Sequence, residues 1–425
     1  KAFGTMLIRE NDGKQVTGAV GIDMRETSPK YQDARVLGLQ WVGASVIDIG
    51  LVATPAFYFG VAHVEADGGM MVTASHNPAE YNGFKMTRAN AVPVSGDSGI
   101  QDLRALIENQ DYEPEKPGEI KHVQGIPQLA AQAEFEFAGD HSIRPYKVVI
   151  DTANGMGAQF FDALLKLIDV RATKMFWILD GNFPNHEADP FKPENIKPLQ
   201  EKVKEVGADL GITTDGDGDR IFFVDDKGEV IEPAILRGLL AQIALRENPG
   251  ATICYDIRPG KITEDMIVEA GGKPSVTRVG HSLIKEQMKK EDAIFGGESS
   301  GHFFYKFSTG TYEGPVTVTT QILQEMTRQK STISEIVNPL RKYAHSGEIN
   351  FIVEDKEKTI EKIKAAFSDG ELNELDGISI SYEDFWFNVR GSNTEPKLRL
   401  NLEAVDQEEM EKNRDKLVAL IESKE

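Results

Sequence analysis

Lys147-Val148-Val149-Ile150-Asp151 is a short apolar run closed by a carboxylate, and the chain repeats the pattern in Val20-Gly21-Ile22-Asp23 and in Ala251-Thr252-Ile253-Cys254-Tyr255-Asp256. Continuous apolar runs of this length, bounded by turn residues, suit strands buried on both faces within a sheet flanked by helices. After the first of them, Ser45-Val46-Ile47-Asp48-Ile49 supplies the next strand and residues 55–66 the next helix. Alternation of this kind predicts α/β architecture. Three such openings, each followed by helices, predict three related α/β domains with mixed sheets facing a common central cleft. From about residue 346 the pattern changes to strands at 349–353, 378–382, 385–389 and 398–402, with helices at 356–367 and 407–421. This is the pattern of a smaller C-terminal α+β domain, and Glu383-Asp384 is a two-residue hairpin turn within it. The expected limits are 1–142, 143–248, 249–345 and 346–425, and residues 108–119, rich in Glu and Pro, read as a surface connection.

Local signals add detail. Ser28 is the expected N-cap of a helix with Pro29 at its first position, and Tyr31, Ala34, Leu37 and Trp41 form its expected core face. Ile196, Leu199, Val203 and Val206 have helical spacing and lead through Gly207-Ala208-Asp209 into a further strand. Gly155-Met156-Gly157 lacks the third glycine of a dinucleotide fingerprint, with Phe160 in its place, so it reads as a tight strand-to-helix turn. Arg278-Val279-Gly280-His281-Ser282 is expected to cap a helix beginning at Leu283 and to offer amides and cations to an anion.

Two stretches carry chemistry. Met70-Met71-Val72 reads as a strand that delivers Ser75 into Thr73-Ala74-Ser75-His76-Asn77-Pro78, with Asn82-Gly83 turning the chain back through Phe84-Lys85-Met86. A serine hydroxyl is a weak nucleophile that needs a base, a metal or an electrophilic phosphate. Asp215-Gly216-Asp217-Gly218-Asp219-Arg220 joins the runs Leu210-Gly211-Ile212 and Ile221-Phe222-Phe223-Val224. Alternating carboxylates with permissive glycines suit a hard divalent cation. An EF-hand is excluded, since Arg220 stands where its sixth-position glycine belongs and Asp226 where its twelfth-position glutamate belongs. No Gly-x-Ser-x-Gly elbow surrounds Ser75, which argues against a serine hydrolase.

These two motifs, followed by Gly297-Glu298-Ser299-Ser300-Gly301-His302 and Arg390-Gly391-Ser392-Asn393-Thr394-Glu395-Pro396, resemble in content and order the α-D-phosphohexomutase superfamily, most closely its phosphomannomutase/phosphoglucomutase group. The resemblance implies a phosphohexomutase that interconverts hexose 1-phosphate and hexose 6-phosphate, of mannose or glucose, through phosphoserine and a hexose 1,6-bisphosphate. It implies that Ser75 is phosphorylated and that Mg²⁺ is held by Ser75, Asp215, Asp217 and Asp219. Lys85 and Arg220 are its cationic catalytic residues, and Lys85, His76 and His302 its candidates for proton transfer. Glu298 and Ser300 would meet sugar hydroxyls, with Arg25, Arg258, Gly280, His281 and His302 as further substrate contacts. Arg390, Ser392, Asn393 and Thr394 would hold the phosphate that is not reacting. The family often has Lys where Arg258 stands and Asp-Gly where Glu313-Gly314 stands, changes that preserve charge. Phosphoglucosamine mutase is the neighbouring alternative, and a catalytically silent sugar-phosphate or metal-binding protein on the same scaffold is another. Thr73-Ala74 and Asn82-Gly83-Phe84-Lys85 favour a hexose. Residues 1–10 read as the end of a first helix, and the family's opening strand and arginine are expected to precede it.

Bulk properties agree with a small-molecule partner. Lys+Arg 47 against Asp+Glu 68 gives a net charge of −21, which opposes nucleic acid and anionic membrane surfaces. No stretch approaches the 18 or so apolar residues of a membrane span. The single cysteine, Cys254, lies in an apolar run, excludes an intramolecular disulfide and fits a reducing compartment. A cytoplasmic monomer or homodimer acting on sugar phosphates is expected.

Overall fold

A computed structural model describes residues 1–139, 142–391 and 397–423, with Asp97 described by its backbone alone. The chain forms two compact units, Lys1–Ile231 with Ser300–Ser334, and Glu232–Ser299 with Glu335–Glu425.

The first unit holds two mixed sheets. In one, the order is Phe84–Arg88, Gly68–Val72, Thr17–Ile22, Ser45–Leu51 and Ile120–His122, parallel except for Phe84–Arg88. In the other, the order is Arg171–Met175, Lys147–Asp151, Leu210–Thr214 and Ile221–Val224, parallel except for the last. The central strands are the quoted apolar runs, with Ala19, Val20, Val149 and Ile212 fully buried. Helix Pro193–Val206 buries Ile196, Leu199 and Val203, as its spacing predicts. The Gly155–Gly157 turn leads directly into helix Gly157–Leu164.

Helix Ser28–Trp41 departs from expectation. Thr27 is its N-cap residue, and the Ser28 hydroxyl donates instead to Asp23 at 2.6 Å, inside the fold. Ser28, Arg35 and Leu39 form its buried face, while Tyr31 and Leu37 are 42% and 67% exposed. The cause is a buried cation: Arg35 lies against the sheet and donates to the Met70 carbonyl, so the face with more apolar residues turns outward. Tyr31 packs edge-on against the exposed Phe84 ring.

In the second unit, Thr252–Asp256 pairs in parallel with Lys273–Thr277 and Phe295–Gly297. Cys254 is wholly buried there, and burial pushes its thiol up to about 12, so it is core packing. The anticipated helix at Leu283 begins two residues earlier, as His281–Lys290, because Gly280 at φ 145 takes the N-cap position. The C-terminal sheet runs Ala344–Phe351, Leu398–Ala404, Phe385–Gly391, Ile378–Ser381, Glu371–Asn373, antiparallel throughout. Helices Lys356–Ala366 and Gln407–Glu422 accompany it, and Ile363 and Leu417 share a core with Val389, Leu398, Leu400 and Leu402. The Glu383-Asp384 turn is closed by Tyr382 N donating to Phe385 O at 2.8 Å. Strand Glu371–Asn373 is exposed at every residue, so it lacks the alternation that reveals a strand. Among the described residues, no helix is long and apolar enough to cross a membrane.

One register relation places the functional loops. Ile22 lies opposite Val72, Ile150 opposite Ile212 and Tyr255 opposite Gly297, each pair just before the aspartate that closes an apolar run. Three residues beyond the partner lie Ser75, Asp215 and Ser300.

Glu134, on helix Ile126–Phe137, is buried at the start of helix Pro315–Gln329, where it accepts from Val316 N at 2.8 Å and Thr317 N at 3.3 Å. Burial pushes its carboxyl up to about 8, against the opposing pull of those two amides. A folded-state value raised above the ordinary 4.5 means that its contribution is complete below pH about 4.5 and is lost as pH rises to about 8. Glu134→Gln, which cannot ionise, is therefore expected to gain stability relative to the parent between pH 5 and 9. Parallel melting-temperature profiles for the two proteins would refute this.

Candidate active site

Strand Gly68–Val72 ends in a loop wound tightly around its own backbone. Thr73 Oγ1 accepts from Ser75 N at 3.0 Å, and Ser75 adopts φ 53, in the left-handed region that side chains other than glycine rarely occupy. From there its hydroxyl donates to Asp215 Oδ2 at 3.0 Å and lies 3.2 Å from His76 Nδ1. Burial, followed by the charge of Arg220, pushes His76 down to about 4, leaving a neutral imidazole beside the hydroxyl. Gly216 comes so close that a Cβ there would lie 2.6 Å from the Ser75 carbonyl, so the two loops touch only because glycine stands at 216.

Strand Leu210–Thr214, buried along its whole length, delivers Asp215, Asp217 and Asp219, all buried and with oxygens within 4.8 Å of one another. Gly218 at φ 78 makes the turn, and Asp215 Oδ1 accepts from Gly218 N at 3.1 Å and Arg220 N at 3.2 Å. Asp217 Oδ2 accepts from Thr54 Oγ1 at 2.6 Å and from Lys85 Nζ at 2.7 Å. Lys85 also pairs with Asp219 Oδ2, and His302 Nε2 lies 3.3 Å from Asp219 Oδ1.

Burial, then Asp217 and Asp219, hold the Asp215 carboxyl well above the usual range. Burial acts the same way on Asp219, but Lys85, His302 and Arg220 outweigh it and hold that carboxyl well below. Burial disfavours the Lys85 charge, yet Asp217 and Asp219 hold its ammonium well above the ordinary value. Lys85 is thus a fixed counter-cation in this arrangement. Asp217 Oδ1 is buried and makes no hydrogen bond. Three converging carboxylates, with Asp217 Oδ1 and Asp219 Oδ1 buried and without hydrogen bonds, suit a hard divalent cation, and these residues can hold a metal ion.

Also in the first unit, Ser300 Oγ lies 2.9 Å from His302 Nδ1, and the His302 ring stacks on Phe304. The second unit gathers Arg258, Gly280, His281, Glu298 and Arg390. Asp256 is its hub: it accepts from Arg237 at 2.6 Å, from Arg258 Nε at 2.7 Å, and from Ser299 N and Oγ at 3.1 and 2.9 Å. Gly280 N donates to Glu298 Oε1 at 2.8 Å, and Val279 N to Asp376 Oδ2 at 2.9 Å. Arg390 is buried 3.7 Å from Glu348, and its pKa is lowered by burial and then by the like charge of Arg258. Ser392, Asn393 and Thr394 lie outside the described residues.

Arg25 is not where its expected role requires. Its side chain is fully buried and its N–H groups are committed to Asp23 and to main-chain carbonyls, so it cannot meet a substrate. Sequence reasoning also missed Thr54, Asp376 and Arg237. Thr54-Pro55 signals a helix start and nothing more. Arg237 had a readable signal, a lone charge inside Ile235-Leu236-Arg237-Gly238-Leu239-Leu240.

Family models described as phosphoglucomutase/phosphomannomutase match residues 1–114 as alpha/beta/alpha domain I, 122–228 as domain II, 233–343 as domain III and 348–420 as the C-terminal domain. The chain belongs to this family. A phosphomannomutase of Methanocaldococcus jannaschii is 38% identical over 424 residues, covering 99% of this chain and 92% of that protein. A phosphomannomutase of Vibrio cholerae is 37% identical over 415 residues, with 95% and 89% covered. The solved structure of a phosphoglucomutase/phosphomannomutase family protein from Burkholderia thailandensis matches with a TM-score of 0.87 at 31% identity, over 99% of this chain and 92% of that one. The matched domains and named relatives make this family member a phosphomutase, an isomerase.

A divalent cation held by these carboxylates, with Mg²⁺ as the probe, is expected to stabilise the protein by about 2.7 kcal/mol when free ion exceeds its Kd about 100-fold, read as a raised melting temperature. Asp217→Asn should remove most of that gain. Equal gains in both proteins would show that the ion binds elsewhere.

Proposed function

We propose that the protein interconverts hexose 1-phosphate and hexose 6-phosphate, with mannose and glucose as substrates, through phosphorylated Ser75 and a hexose 1,6-bisphosphate. The observation that carries this reading is the Ser75 hydroxyl 3.0 Å from Asp215, at the edge of three buried carboxylates. Mg²⁺ bound by Asp215, Asp217, Asp219 and the Ser75 phosphate would neutralise the charge that gathers on the transferring group. Arg220 adds a second positive charge, and Lys85 keeps Asp217 and Asp219 paired.

In the first transfer the bond from phosphorus to Ser75 Oγ breaks as a bond to a sugar hydroxyl oxygen forms, the hydroxyl proton passing to a base and Ser75 Oγ taking up a proton in its place; the second transfer runs the same exchange in reverse. His302 and His76 are the groups assigned to the hydroxyl proton, while Asp217 and Asp219 hold Lys85 in its charged form. Glu298 and Ser300 orient the ring through its hydroxyls. Arg258, Gly280, His281, Arg390, Ser392, Asn393 and Thr394 hold the distal phosphate, with the guanidinium forks suited to its oxygens. The bisphosphate then reverses its ends and returns a phosphoryl group to Ser75. We assign these tasks to four domains limited near residues 142, 248 and 345, in a cytoplasmic monomer or homodimer.

A coupled assay with Mg²⁺ and a trace of hexose 1,6-bisphosphate tests this on mannose, glucose and glucosamine 1-phosphates. Turnover of the first two that falls to background in Ser75→Ala is expected. A preference for glucosamine 1-phosphate would move the assignment to the amino-sugar enzyme, and turnover that survives in Ser75→Ala would rule out the phosphoserine.

A further inference from the structure

We infer that Arg25 is a positioning residue that clamps the Ser75 loop against the aspartate loop. Its Nε donates to Asp23 Oδ2 at 3.2 Å, one terminal nitrogen to the carbonyls of Pro78 and Tyr81 at 2.8 and 3.1 Å, and the other to those of Ser75 and Asn77 at 2.9 and 2.7 Å. A guanidinium has five N–H donors, and all five are used. The loop therefore curls its backbone around one buried cation, with four carbonyls pointed at it. Without that cation these part-buried carbonyls would face one another, short of donors.

The clamp reaches the second loop as well. The Arg25 guanidinium lies 5.2 Å from the centre of the Phe183 ring, and that ring is 3.5 Å from where a Cβ on Gly216 would sit. Gly181 packs against the Arg25 backbone so closely that a Cβ there would lie 2.7 Å from its Cα, and Asn182 Nδ2 donates to Glu26 Oε1 at 2.8 Å. Residues 181–183 thus press Arg25 onto the Ser75 loop from one side while Gly216 meets the Ser75 carbonyl from the other. Together these contacts fix the distance between the Ser75 hydroxyl and Asp215.

The repeat places Arg25 at a defined position after its aspartate. Asp23 and Asp151 each accept from the backbone N–H two residues on, that of Arg25 at 3.1 Å and that of Ala153 at 2.8 Å. The position that carries the arginine beside the serine loop carries alanine beside the aspartate loop. That loop is held instead by Asp215 accepting from its own backbone. In the third repeat Arg258 follows Asp256 at the same spacing and likewise donates its Nε to that aspartate, so what sets Arg25 apart is the four carbonyls of the Ser75 loop that its terminal nitrogens meet.

The inference rests on Ser75 as the phosphoryl carrier, and its test has one arm that does not. Arg25→Lys keeps the charge but offers three donors from a single point. In the full-length protein, its kcat is expected to fall by about 100-fold with KM within about twofold, the signature of a misplaced reacting group rather than lost substrate binding. Amide hydrogen exchange at residues 75–82 is expected to quicken while the remaining amides keep the parent's rates. A raised KM at unchanged kcat would make Arg25 a substrate ligand, and unchanged exchange at 75–82 would remove the clamp. A parent protein without turnover would defeat the reading of Ser75, yet the exchange arm would still decide the clamp. Phe183→Leu leaves every Arg25 hydrogen bond in place and serves where Arg25→Lys folds poorly. A smaller fall in kcat at constant KM is expected, and an unchanged kcat overturns the link to the aspartate loop.

Discussion

Three carboxylates buried together next to a serine hydroxyl repel one another and have lost their water, and much of the first unit is arranged to compensate. Lys85 answers this from the antiparallel edge strand Phe84–Arg88, which Asn82-Gly83 turns back alongside Gly68–Val72 so that its ammonium reaches Asp217 and Asp219. Thr54 answers it from the first turn of helix Thr54–His63, and Arg220 and His302 from the residues flanking the next strands. Asp217 Oδ1 is left without a hydrogen bond, in a set of three carboxylates that could hold a metal ion. In a chain of net charge −21, these few cations matter by placement and not by number.

The second unit solves a related problem with guanidiniums and carboxylates interleaved. Asp256 sits between Arg237 and Arg258 and also takes both donors of Ser299, so one carboxylate ties a helix, a strand end and the following loop together. Burial and then the like charge of Arg258 lower the pKa of Arg390, against the opposing pull of Asp376 and Glu348.

The architecture was legible because its signal is coarse. Apolar runs closed by aspartate mark buried strands whatever surrounds them, and the hairpin at Glu383-Asp384 follows from turn length. The aspartate loop was legible because its carboxylates alternate with glycine between two such strands. What could not be read was which backbone a buried cation would meet. Arg35 turned a helix face that hydrophobic spacing placed the other way, and Arg25 looked like a ligand because an arginine near a phosphate loop usually is one. Glu134 carried no sequence signal at all, since its partners are two amides distant in the chain. Periodicity records where side chains are apolar, and is blind to main-chain acceptors that tertiary contact brings near.

The common register of Ser75, Asp215 and Ser300 has a consequence for how such a protein can change. All three stand at one address in a repeated unit, beyond the paired strand and outside the ladder of hydrogen bonds that holds the sheet. Whatever occupies that address can be exchanged without disturbing strand pairing, so a duplicated unit begins with a spare position already aimed and already supported. The copies differ in what stands there and in how each loop is held: one carries a hydroxyl on a loop gathered around Arg25, another a carboxylate that accepts from its own loop's amides, and a third a hydroxyl beside His302. The scaffold acts as a single socket used three times, and the chemistry of the whole is a matter of which residue has been fitted into each copy.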